Sequence, residues 1–599
     1  MTTPSPLSDL GNPTSLGVAL TRAFARHGDA LAHIEADRDR ENGRLTYRDL
    51  EARSGGLAAW LAERGFGPGD RAAIVMSNQA RWHVAAAAVF RRGGVLVPLD
   101  FKLSAGEQVA LLAHAKPKVV FAEWHLLRAQ GGVAEFASLG IADVVATDVP
   151  PGQEIARPAT ARATPFDETT GAGAPSDPTR DAGAVPEEPA PISVPPTVER
   201  APEDVACLVY SSGTGGRPKG CQLTHGNYLA QFDALAQLHP LGPGTRYLSI
   251  LPTNHAIDFM VGFLGPYFRG ATVVHLRTLR PEFVRDAFPR YRITHMALVP
   301  LVLKNLETGL RRRFDELPPL RRAVFEGLVR LNVALSGGRP RPAIARRLLR
   351  PVHDAFGGRL EALFVGGAYS APETLRFFHR LGIPVANGYG LTEAGTAITL
   401  DRLDPPQPET VGTPLPGIEL TIADPGPDGI GEVRVRSPMI MRGYLDDPEL
   451  TAETFAEGWL CTGDLGRLTA GGALQLVGRR KNMIVTEGGK NVYPEDVEIA
   501  FAGLAPDLCL FAAHWLWPGT ARDERLVLVA RPDPERPSED ELFAEIETRN
   551  RRLPEHQRAS AVLFWSEEFP RTASMKVKRG VLAEHLRERS SPDRMRPLA

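Results

Sequence analysis

Short apolar strands alternate with helices near the start of the chain, and this alternation constrains the fold more than any other feature. Residues 45–65 carry leucine and alanine at helical spacing and end at a glycine, whereas residues 71–77 form a short apolar run typical of a buried strand. A second helix and a second strand follow within residues 83–100. Because strands that alternate with helices favour a parallel sheet, the sequence predicts an α/β fold.

The same alternation returns after residue 205, and it predicts how the chain divides into domains. Short strands dominate residues 411–476, and strands surround helices in the last section of the chain. We predict a large N-terminal α/β domain of several subdomains and a smaller α+β C-terminal domain, which span residues 1–480 and 481–599.

Residues 150–202 interrupt the pattern. They contain 12 of the 52 prolines, together with many alanine, threonine, glycine and glutamate residues. A segment of this composition buries too little apolar surface to offset the entropy of ordering it. We therefore predict a disordered or extended surface insertion within the first domain. An interdomain linker is the alternative, which the strand pattern that follows at once disfavours.

The overall charge and the cysteine pattern exclude several classes of protein. The net charge is −2, with 69 basic and 71 acidic residues, so a nucleic-acid partner is not expected. The four cysteines form no CxxC pair, which disfavours zinc ribbons and thioredoxin-like redox sites and favours a reducing compartment. The sequence shows no secretory signal and no apolar run long enough to span a bilayer, and we expect a cytoplasmic protein.

Residues 311–350 are rich in arginine, with 11 in that stretch. Two amphipathic patterns there predict helices with basic faces. A solvated helical face is one interpretation, and an anionic ligand or a lipid surface is the other. Peripheral membrane contact therefore stays open as a partner class.

A segment rich in glycine and hydroxyl residues, YSSGTGGRPKG at 210–220, follows one predicted strand and precedes a helical pattern. In a strand-to-helix loop, backbone N–H groups without obstructing side chains can bind phosphate oxygens. The segment lacks the Gly-Lys-Ser/Thr end of a Walker A loop. The predicted phosphate-binding residues are Ser211, Ser212, Gly213, Thr214, Gly216 and Lys219.

This segment resembles the phosphate loop of the adenylate-forming superfamily, which includes acyl-CoA synthetases, firefly luciferase and the adenylation domains of peptide synthetases. Gly215 stands where that family usually has a second threonine. The resemblance continues in family order over most of the chain. It implies the same two-domain α/β architecture, with a mobile C-terminal domain.

The segment NGYGLTE at 387–393 resembles the family's adenine and metal motif. The resemblance implies that Tyr389 stacks on adenine, that Thr392 meets the α-phosphate and that Glu393 holds Mg²⁺, with Ser211 as a second residue on the metal side. A carboxylate is a hard oxygen ligand that suits Mg²⁺ shared with phosphates. The loop at 365–370 resembles the segment that lies along the adenine. The remaining predicted nucleotide contacts are Gly367, Ala368, Gly388 and Gly390.

Two further motifs resemble the ribose site and the hinge of the family. Asp464, in WLCTGD, is implied to accept both ribose hydroxyls, and Arg479 is implied to reach the same sugar. Lys481 falls at the hinge between the two domains. Gly488 and Gly489 match the glycines beside which the pantetheine arm of CoA passes, where only small residues allow the approach.

The segment PRTASMK, which ends at Lys576, resembles the family's C-terminal catalytic-lysine motif, with Met575 where glycine is common. Lys578 is the alternative lysine, two residues further on. His255 falls where related enzymes place a residue near the acyl pocket. A core or loop histidine is an equal interpretation for that position.

Together these motifs imply an ATP-dependent acyl-CoA synthetase, an AMP-forming acid–thiol ligase that uses ATP, Mg²⁺ and CoA. Resemblance to long-chain members directs the expectation to a medium- or long-chain fatty acid. Three alternatives stay open: a fatty acyl-AMP ligase that loads a carrier protein, a β-lactone-forming member of the superfamily, and a non-catalytic acyl- or nucleotide-binding relative.

Overall fold

The computed structural model describes most of the chain, and the described residues divide into two compact units. The described residues are 5–129, 133–150, 162–170, 193–211, 218–278, 280–485, 491–517, 525–533, 538–571 and 577–598. The first unit comprises residues up to 408 with 412–419 and 436–453. The second comprises residues 409–411, 420–435 and 454–599. The predicted boundary after residue 480 stays a prediction.

The first unit is built on two mainly parallel sheets. The larger one has nine strands, of which the six central ones run parallel. Its strands, in spatial order, are Thr413–Pro414, Thr399–Leu400, Val385–Tyr389, Ala362–Val365, His295–Leu298, Arg246–Ser249, Thr272–Leu276, Leu31–Asp37 and Arg40–Thr46. The strand at each end of the parallel set pairs antiparallel with its outer neighbour.

The second sheet has eight strands, and six of them run parallel. Its strands, in spatial order, are Gly443–Tyr444, Lys219–Thr224, Val205–Ser211, Val95–Pro98, Arg71–Val75, Val119–Glu123, Asp143–Thr147 and Arg162–Pro165. The first two strands in this order run antiparallel to their neighbours. Parallel sheets with long buried strands and intervening helices confirm the predicted α/β class.

Helices follow most of the parallel strands, and several begin with a capping box, such as Thr46 with Asp49 and Thr224 with Asn227. The helices of the first unit are Leu16–His27, Tyr47–Glu63, Ala80–Arg91, Ala105–Ala115, Trp124–Ala129, Val133–Ser138, Phe166–Thr169, His225–Leu238, Ala256–Asp258, the π-helix Phe259–Leu264, Gly265–Phe268, Pro281–Tyr291, Pro300–Asp315, Pro319–Ser336, Pro342–Leu348, Arg350–Ala355, Pro372–Arg380 and Pro448–Thr454. No helix in the described part of the chain is both long and apolar enough to cross a membrane.

Three buried histidines, His33, His83 and His275, form a cluster in the core of the first unit, which we call the histidine cluster. The ring centroid of His275 lies 4.6 Å from that of His33 and 4.6 Å from that of His83. The Tyr267 hydroxyl lies 2.8 Å from His83 Nδ1 and 3.0 Å from His33 Nδ1. Because burial disfavours the charged imidazolium, it lowers the pKa of all three rings, that of His33 to about 3.

Residues 162–170 differ from the predicted disordered insertion. They form the strand Arg162–Pro165, which pairs with Asp143–Thr147, and the short helix Phe166–Thr169, in which the Phe166 side chain is buried. The apolar side chains Ala163 and Phe166 give this stretch a core contact that the average composition of the segment conceals. Residues 151–161 and 171–192 lie outside the described residues.

The ends of the segment 171–192 approach the same place on one helix. A Cβ built on Gly56 would lie 2.1 Å from the Thr170 carbonyl oxygen, and one built on Gly55 would lie 3.1 Å from Val194 Cγ1. The two neighbouring glycines of Tyr47–Glu63 therefore leave room for both chain segments. Thr170 and Val194 are close enough for a short connection to join them.

The second unit holds three smaller sheets. A five-stranded sheet consists of Glu419–Ala423, Gly431–Arg436, Trp459–Leu468, Phe455–Ala456 and Leu474–Arg479. A four-stranded sheet consists of Asp507–Ala512, Leu526–Arg531, Ala561–Phe564 and Arg596–Pro597, and a two-stranded one of Ile484–Val485 and Asn491–Val492. The helices are Pro494–Ala500, Ala513–Leu516, Glu539–Asn550 and Arg579–Arg589.

A half-buried ion pair joins two helices of the second unit. Arg579 Nη2 donates to both carboxylate oxygens of Glu498, at 2.7 and 2.8 Å, and Nη1 donates to the Leu510 carbonyl oxygen at 2.8 Å. Arg579 begins the helix that follows the predicted catalytic-lysine segment. The pair therefore fixes the chain immediately after that segment to the sheet core.

Candidate active site

The predicted phosphate loop connects two strands of a hairpin. Val205–Ser211 pairs antiparallel with Lys219–Thr224, so that Ser211 lies opposite Lys219, and the helix begins only at His225. The prediction of a direct strand-to-helix loop is therefore wrong. Cys221 and Leu223, two residues apart on one face of Lys219–Thr224, are buried, and the segment adds a strand to the sheet.

Within this hairpin, Lys219 is the one predicted phosphate-binding residue whose side chain the structure describes. The side chain of Ser211 and all of the residues 212–217 lie outside the description. Predictions for Ser212, Gly213, Thr214 and Gly216 therefore stay predictions. Lys219 Nζ lies 5.9 Å from the ring centroid of Tyr444.

Glu393 lies in the 3₁₀ turn Thr392–Ala394, just beyond the parallel strand Val385–Tyr389. The Tyr444 hydroxyl donates a hydrogen bond of 2.9 Å to Glu393 Oε1, and the Met441 amide donates one of 2.8 Å to the Glu393 carbonyl oxygen. These two bonds fix both the backbone and the carboxylate of Glu393. Tyr444 contacts both Glu393 and Lys219, and so it joins two predicted sites that lie far apart in the sequence.

Glycines flank Tyr389, the residue predicted to stack on adenine. Tyr389 is buried at the carboxyl end of its strand, where ligands of open parallel sheets bind. A Cβ on Gly366 would lie 3.0 Å from the Gly388 carbonyl oxygen, and one on Gly390 would lie 1.8 Å from the Thr396 carbonyl oxygen. Neither position accepts a larger residue unless the neighbouring backbone moves.

Two of the other predicted nucleotide contacts, Gly367 and Ala368, lie in the loop after the neighbouring strand Ala362–Val365. Gly367 has φ of +83°, a left-handed conformation that glycine adopts without strain. Ala368 is exposed next to it, and Gly388 is half-buried on the neighbouring strand. The structure therefore places Gly367 and Gly388 at the ends of adjacent strands in the first unit.

The two predicted ribose residues contact each other in the second unit. Asp464 and Arg479 are directly opposite on antiparallel strands, and Arg479 Nε lies 2.8 Å from Asp464 Oδ1. The Thr462 hydroxyl accepts a hydrogen bond of 3.1 Å from the Asp464 amide. The side chain of Arg479 is 40% exposed, whereas that of Asp464 is only 8% exposed. The arginine thus orients a carboxylate that has little freedom of its own.

Lys481 is exposed in the 3₁₀ turn Arg480–Asn482, immediately after the strand that carries Arg479. The side-chain amide of the neighbouring Asn482 donates a hydrogen bond of 2.6 Å from Nδ2 to Glu495 Oε1. The predicted CoA-tunnel residues Gly488 and Gly489 lie outside the described residues, as does Lys576. Arg571 and Val577 form an antiparallel bridge on either side of the catalytic-lysine segment, and the Lys578 amide donates to the Pro570 carbonyl oxygen at 2.7 Å.

The donor set at Glu393 fits Mg²⁺ that arrives with a nucleotide. Within the described part of the chain, no group of three or more histidine, cysteine, aspartate or glutamate side chains is arranged to hold a metal ion. Mg²⁺ usually takes one or two carboxylates and fills its other positions with water and substrate phosphates. A single carboxylate held by Tyr444 meets this requirement.

Sequence reasoning missed Asp258, a buried carboxyl group in an apolar stretch. Its oxygens accept hydrogen bonds from Ser249 Oγ at 2.8 Å and Thr253 Oγ1 at 3.1 Å, and burial raises the pKa of Asp258 to about 7. A Cβ on Gly262, in the π-helix that follows, would lie 2.3 Å from Asp258 Oδ1. An acidic residue amid HAIDFMVGF was the only signal for it.

The same region brings His255 beside a different element. His255 Nε2 lies 3.9 Å from Asp100 Oδ2, and the Thr396 hydroxyl, three residues beyond Glu393, donates to the Ala256 carbonyl oxygen at 2.9 Å. The loop with His255 is therefore joined to the Glu393 segment. Tyr444 was also missed, because its partners lie 51 and 225 residues away along the chain.

The chain was compared with known protein families. The family described as "AMP-binding enzyme" matches residues 20–445, which is most of the chain. The chain belongs to the AMP-binding enzyme family. This confirms the predicted family, and both sheets of the first unit, with Glu393 and Tyr389, fall within the matched region.

Curated relatives of this AMP-binding enzyme are CoA ligases. Long-chain-fatty-acid–CoA ligase FadD15 of Mycobacterium bovis is 29% identical over 453 residues, 74% of this chain and 70% of the relative. Putative fatty-acid–CoA ligase fadD11 of Mycobacterium tuberculosis is 32% identical over 51% of this chain and 55% of its own length. The 3-[(3aS,4S,7aS)-7a-methyl-1,5-dioxo-octahydro-1H-inden-4-yl]propanoyl:CoA ligase of Rhodococcus jostii is 30% identical over 96% of this chain and 99% of the relative.

Solved structures share the fold of the whole chain. ATP-bound MatB from Rhodopseudomonas palustris superposes with a TM-score of 0.72 at 23% identity, and the match covers 96% of this chain and 99% of MatB. O-succinylbenzoate CoA synthetase MenE from Bacillus subtilis, in complex with ATP and magnesium ion, has a TM-score of 0.70 at 22% identity, with 94% and 98% covered. Both likenesses establish the fold of an adenylate-forming enzyme.

Proposed function

We propose that the chain is an ATP-dependent acyl-CoA synthetase that activates a medium- or long-chain fatty acid as an acyl adenylate and transfers the acyl group to CoA. One observation carries this proposal: a CoA ligase aligns with this chain over 99% of its own length. The fatty-acid–CoA ligases FadD15 and fadD11 support the acid class. A cytoplasmic location remains part of the proposal.

In the first half-reaction, a substrate carboxylate oxygen attacks the α-phosphorus of ATP, and the bond to pyrophosphate breaks. Both reactants are negative, so the site must offset their repulsion. Mg²⁺ bound with ATP would supply positive charge that offsets this repulsion. Glu393 would hold that ion in a position set by the Tyr444 hydroxyl, and Lys219, whose Nζ lies 5.9 Å from the Tyr444 ring centroid, adds a second positive charge.

In the second half-reaction, the CoA thiolate attacks the carbonyl carbon of the acyl adenylate, and AMP leaves. By the family resemblance the pantetheine arm would pass beside Gly488 and Gly489, and Asp464 with Arg479 would hold the ribose. Residues 481–599 would rotate about Lys481 between the two half-reactions. Proline at that position fixes φ near −65°. Lys481→Pro should therefore reduce thioester formation strongly while ATP–pyrophosphate exchange persists, and parallel loss of both would contradict the hinge.

The proposal is tested by measuring the release of pyrophosphate from ATP in the presence of saturated fatty acids of increasing length, each with and without CoA. An acyl-CoA synthetase gives acid-dependent pyrophosphate and a CoA thioester. Release without thioester, together with transfer to a carrier protein, would favour an acyl-AMP ligase. Release without transfer to either acceptor would indicate a β-lactone-forming or other member, and no release with any acid would contradict the proposal.

Lys576 separates the half-reactions, and Lys578 is a matched control on the same segment. Lys576→Ala should abolish adenylate formation and spare thioester formation from supplied acyl adenylate, because the lysine neutralises charge only in the first step. Lys578→Ala should retain both steps. If the two variants behave in the opposite way, Lys578 is the catalytic lysine.

A second candidate substrate is a propanoate attached to a fused ring system. The Rhodococcus jostii relative, which matches nearly all of this chain, is named for such an acid. Adding a ring-bearing propanoate to the panel distinguishes the two acids. A kcat/KM for that acid well above those for all the fatty acids would replace the fatty-acid assignment and leave the ligase chemistry intact.

A further inference from the structure

The helix Pro319–Ser336 turns an apolar face outward. It packs on the first unit through buried Val329, Asn332 and Ser336. At 100° per residue, the opposite side of the helix is an arc without a polar side chain. We call this arc the outer face; its residues are Leu320, Ala323, Val324, Gly327, Leu331, Ala334 and Leu335.

The large residues of the outer face are exposed to an unusual degree. Leu320 is 78% exposed, Leu335 is 57% exposed and Val324 is 56% exposed. Within the described part of the chain, nine large hydrophobic residues are exposed, and four of them lie on this helix. Single exposed leucines are common, but a continuous apolar face on one helix marks a contact surface.

The surroundings of the outer face are strongly basic. Residues 311–350 contain eleven arginines and three acidic residues, a formal charge of +8 in a chain whose net charge is −2. Arg321 borders the outer face on one edge, and Arg330, 77% exposed, borders it on the other. Arg312 and Arg313 are exposed at the end of the preceding helix.

An apolar arc with arginines on both edges is the pattern of a helix that lies in the plane of a lipid interface. The apolar side chains enter the acyl boundary, and the long arginine side chains reach back to the phosphates. A second copy of the chain fits less well, because two identical surfaces would bring the same excess of positive charge against itself. An anionic surface offers the complementary charge.

We propose that the outer face binds the surface of an anionic phospholipid bilayer. Pro319–Ser336 lies along the membrane over about 27 Å, from a rise of 1.5 Å per residue. Leu320, Val324, Leu331 and Leu335 insert into the interface, while the flanking arginines bind lipid phosphates. The contact goes beyond the ligase activity and does not depend on it.

Flotation with lipid vesicles tests the proposal on the full-length protein. One set of vesicles contains phosphatidylglycerol and phosphatidylcholine in equal parts, and the other contains phosphatidylcholine alone. We expect the protein to float with the anionic vesicles and to dissociate as salt rises, because surface charge attraction is screened. Equal binding to both kinds of vesicle, or binding to neither, would overturn the proposal.

Two variants separate the apolar and the charged contributions. Leu320→Ser with Leu331→Ser should weaken binding to anionic vesicles about ten-fold or more, since two inserted side chains are lost. Arg313→Gln with Arg321→Gln should weaken it about ten-fold and reduce its salt dependence. Leu468→Ser, at an exposed leucine in the second unit, is the matched control and should bind like the wild type.

The altered positions of the leucine variant are exposed, so the protein should keep its thermal unfolding midpoint and its pyrophosphate release. Unchanged vesicle binding by the leucine variant would overturn the proposal. Light scattering tests whether a second copy of the chain covers the outer face instead. If the wild-type protein is a dimer that does not bind vesicles, and the leucine variant is a monomer, the outer face is a contact between two copies of the chain.

Discussion

His275→Leu tests the burial of the histidine cluster directly. His275 lies between the rings of His33 and His83, and neither of its ring nitrogens has a hydrogen-bond partner among the described residues. Leucine has a similar volume and does not titrate. The substitution therefore removes one ionisable group without removing a hydrogen bond that the structure shows.

The expected size of the effect follows from proton binding. An unfolded histidine has a pKa of about 6.5, whereas burial places the folded pKa of His275 well below that value. Below pH 6.5 the unfolded chain thus binds one more proton per buried histidine, and each lowers the free energy of unfolding by about 1.4 kcal/mol per pH unit. Between pH 7 and pH 5 each ring accounts for about 2 kcal/mol, and the cluster for about 6 kcal/mol. The contribution of the neutral histidines to stability is fully present above pH 6.5 and is lost as the pH falls.

Urea unfolding at the two pH values measures this loss. Trp82, whose ring centroid is 5.9 Å from that of His83, lies beside the cluster, so tryptophan fluorescence reports its unfolding. We expect the His275→Leu protein to lose about 2 kcal/mol less than the wild type between pH 7 and pH 5. Val274→Ala, in the same strand, is the control and should lower the free energy of unfolding equally at both pH values.

A packing defect cannot imitate this result. Any strain or cavity that leucine introduces changes the free energy of unfolding by the same amount at pH 7 and pH 5. The difference between the two measurements therefore isolates the titration of His275. If the variant loses as much stability as the wild type, His275 is already protonated in the folded protein, and the reasoning from burial is wrong.

Three further predictions follow from contacts in the structure. Tyr444→Phe removes the hydroxyl that orients Glu393, and we expect the Mg²⁺ concentration for half-maximal pyrophosphate exchange to rise roughly ten-fold; an unchanged Mg²⁺ requirement would contradict this role. Arg579→Lys keeps the charge but cannot bind the Glu498 carboxylate and the Leu510 carbonyl oxygen at the same time, and it should lower the free energy of unfolding of the second unit by about 2 kcal/mol in urea; no measurable loss would refute it. Phe166→Ala should lower the free energy of unfolding by about 3 kcal/mol, which thermal unfolding measures. Deleting residues 172–191 should leave adenylation within a few-fold of the wild type, which pyrophosphate release measures. An unchanged stability of Phe166→Ala together with loss of activity in the deletion variant would contradict both expectations.

Elements with a strong local pattern were predictable from the sequence. The helix His225–Leu238 and the strand Val205–Ser211 agree with the apolar spacing and with the capping residues that precede the helix. In both cases the information lies within about fifteen neighbouring residues. Periodicity and capping are local properties, and they suffice where the buried face of one element is continuous.

Elements whose stability depends on a distant partner were not predictable in this way. Lys219–Thr224 is a strand because it pairs with Val205–Ser211 and, on its other edge, with Gly443–Tyr444. Arg162–Pro165 is a strand because it extends the sheet beyond Asp143–Thr147. Neither segment contains a continuous apolar run like that of Arg71–Val75, so composition and flanking motifs outweighed the pairing that decides the structure.

The candidate site shows the same division between local and distant information. The motif around Glu393 could be identified from seven consecutive residues, but a motif does not say what holds the carboxylate. Tyr444 performs that task from a two-residue strand, which exists only because Lys219–Thr224 offers it an edge. The strand after the phosphate loop therefore connects Lys219 to Glu393 through one phenol ring. A change that detached Gly443–Tyr444 from this edge would disturb the predicted phosphate and metal residues together, although it lies in neither motif.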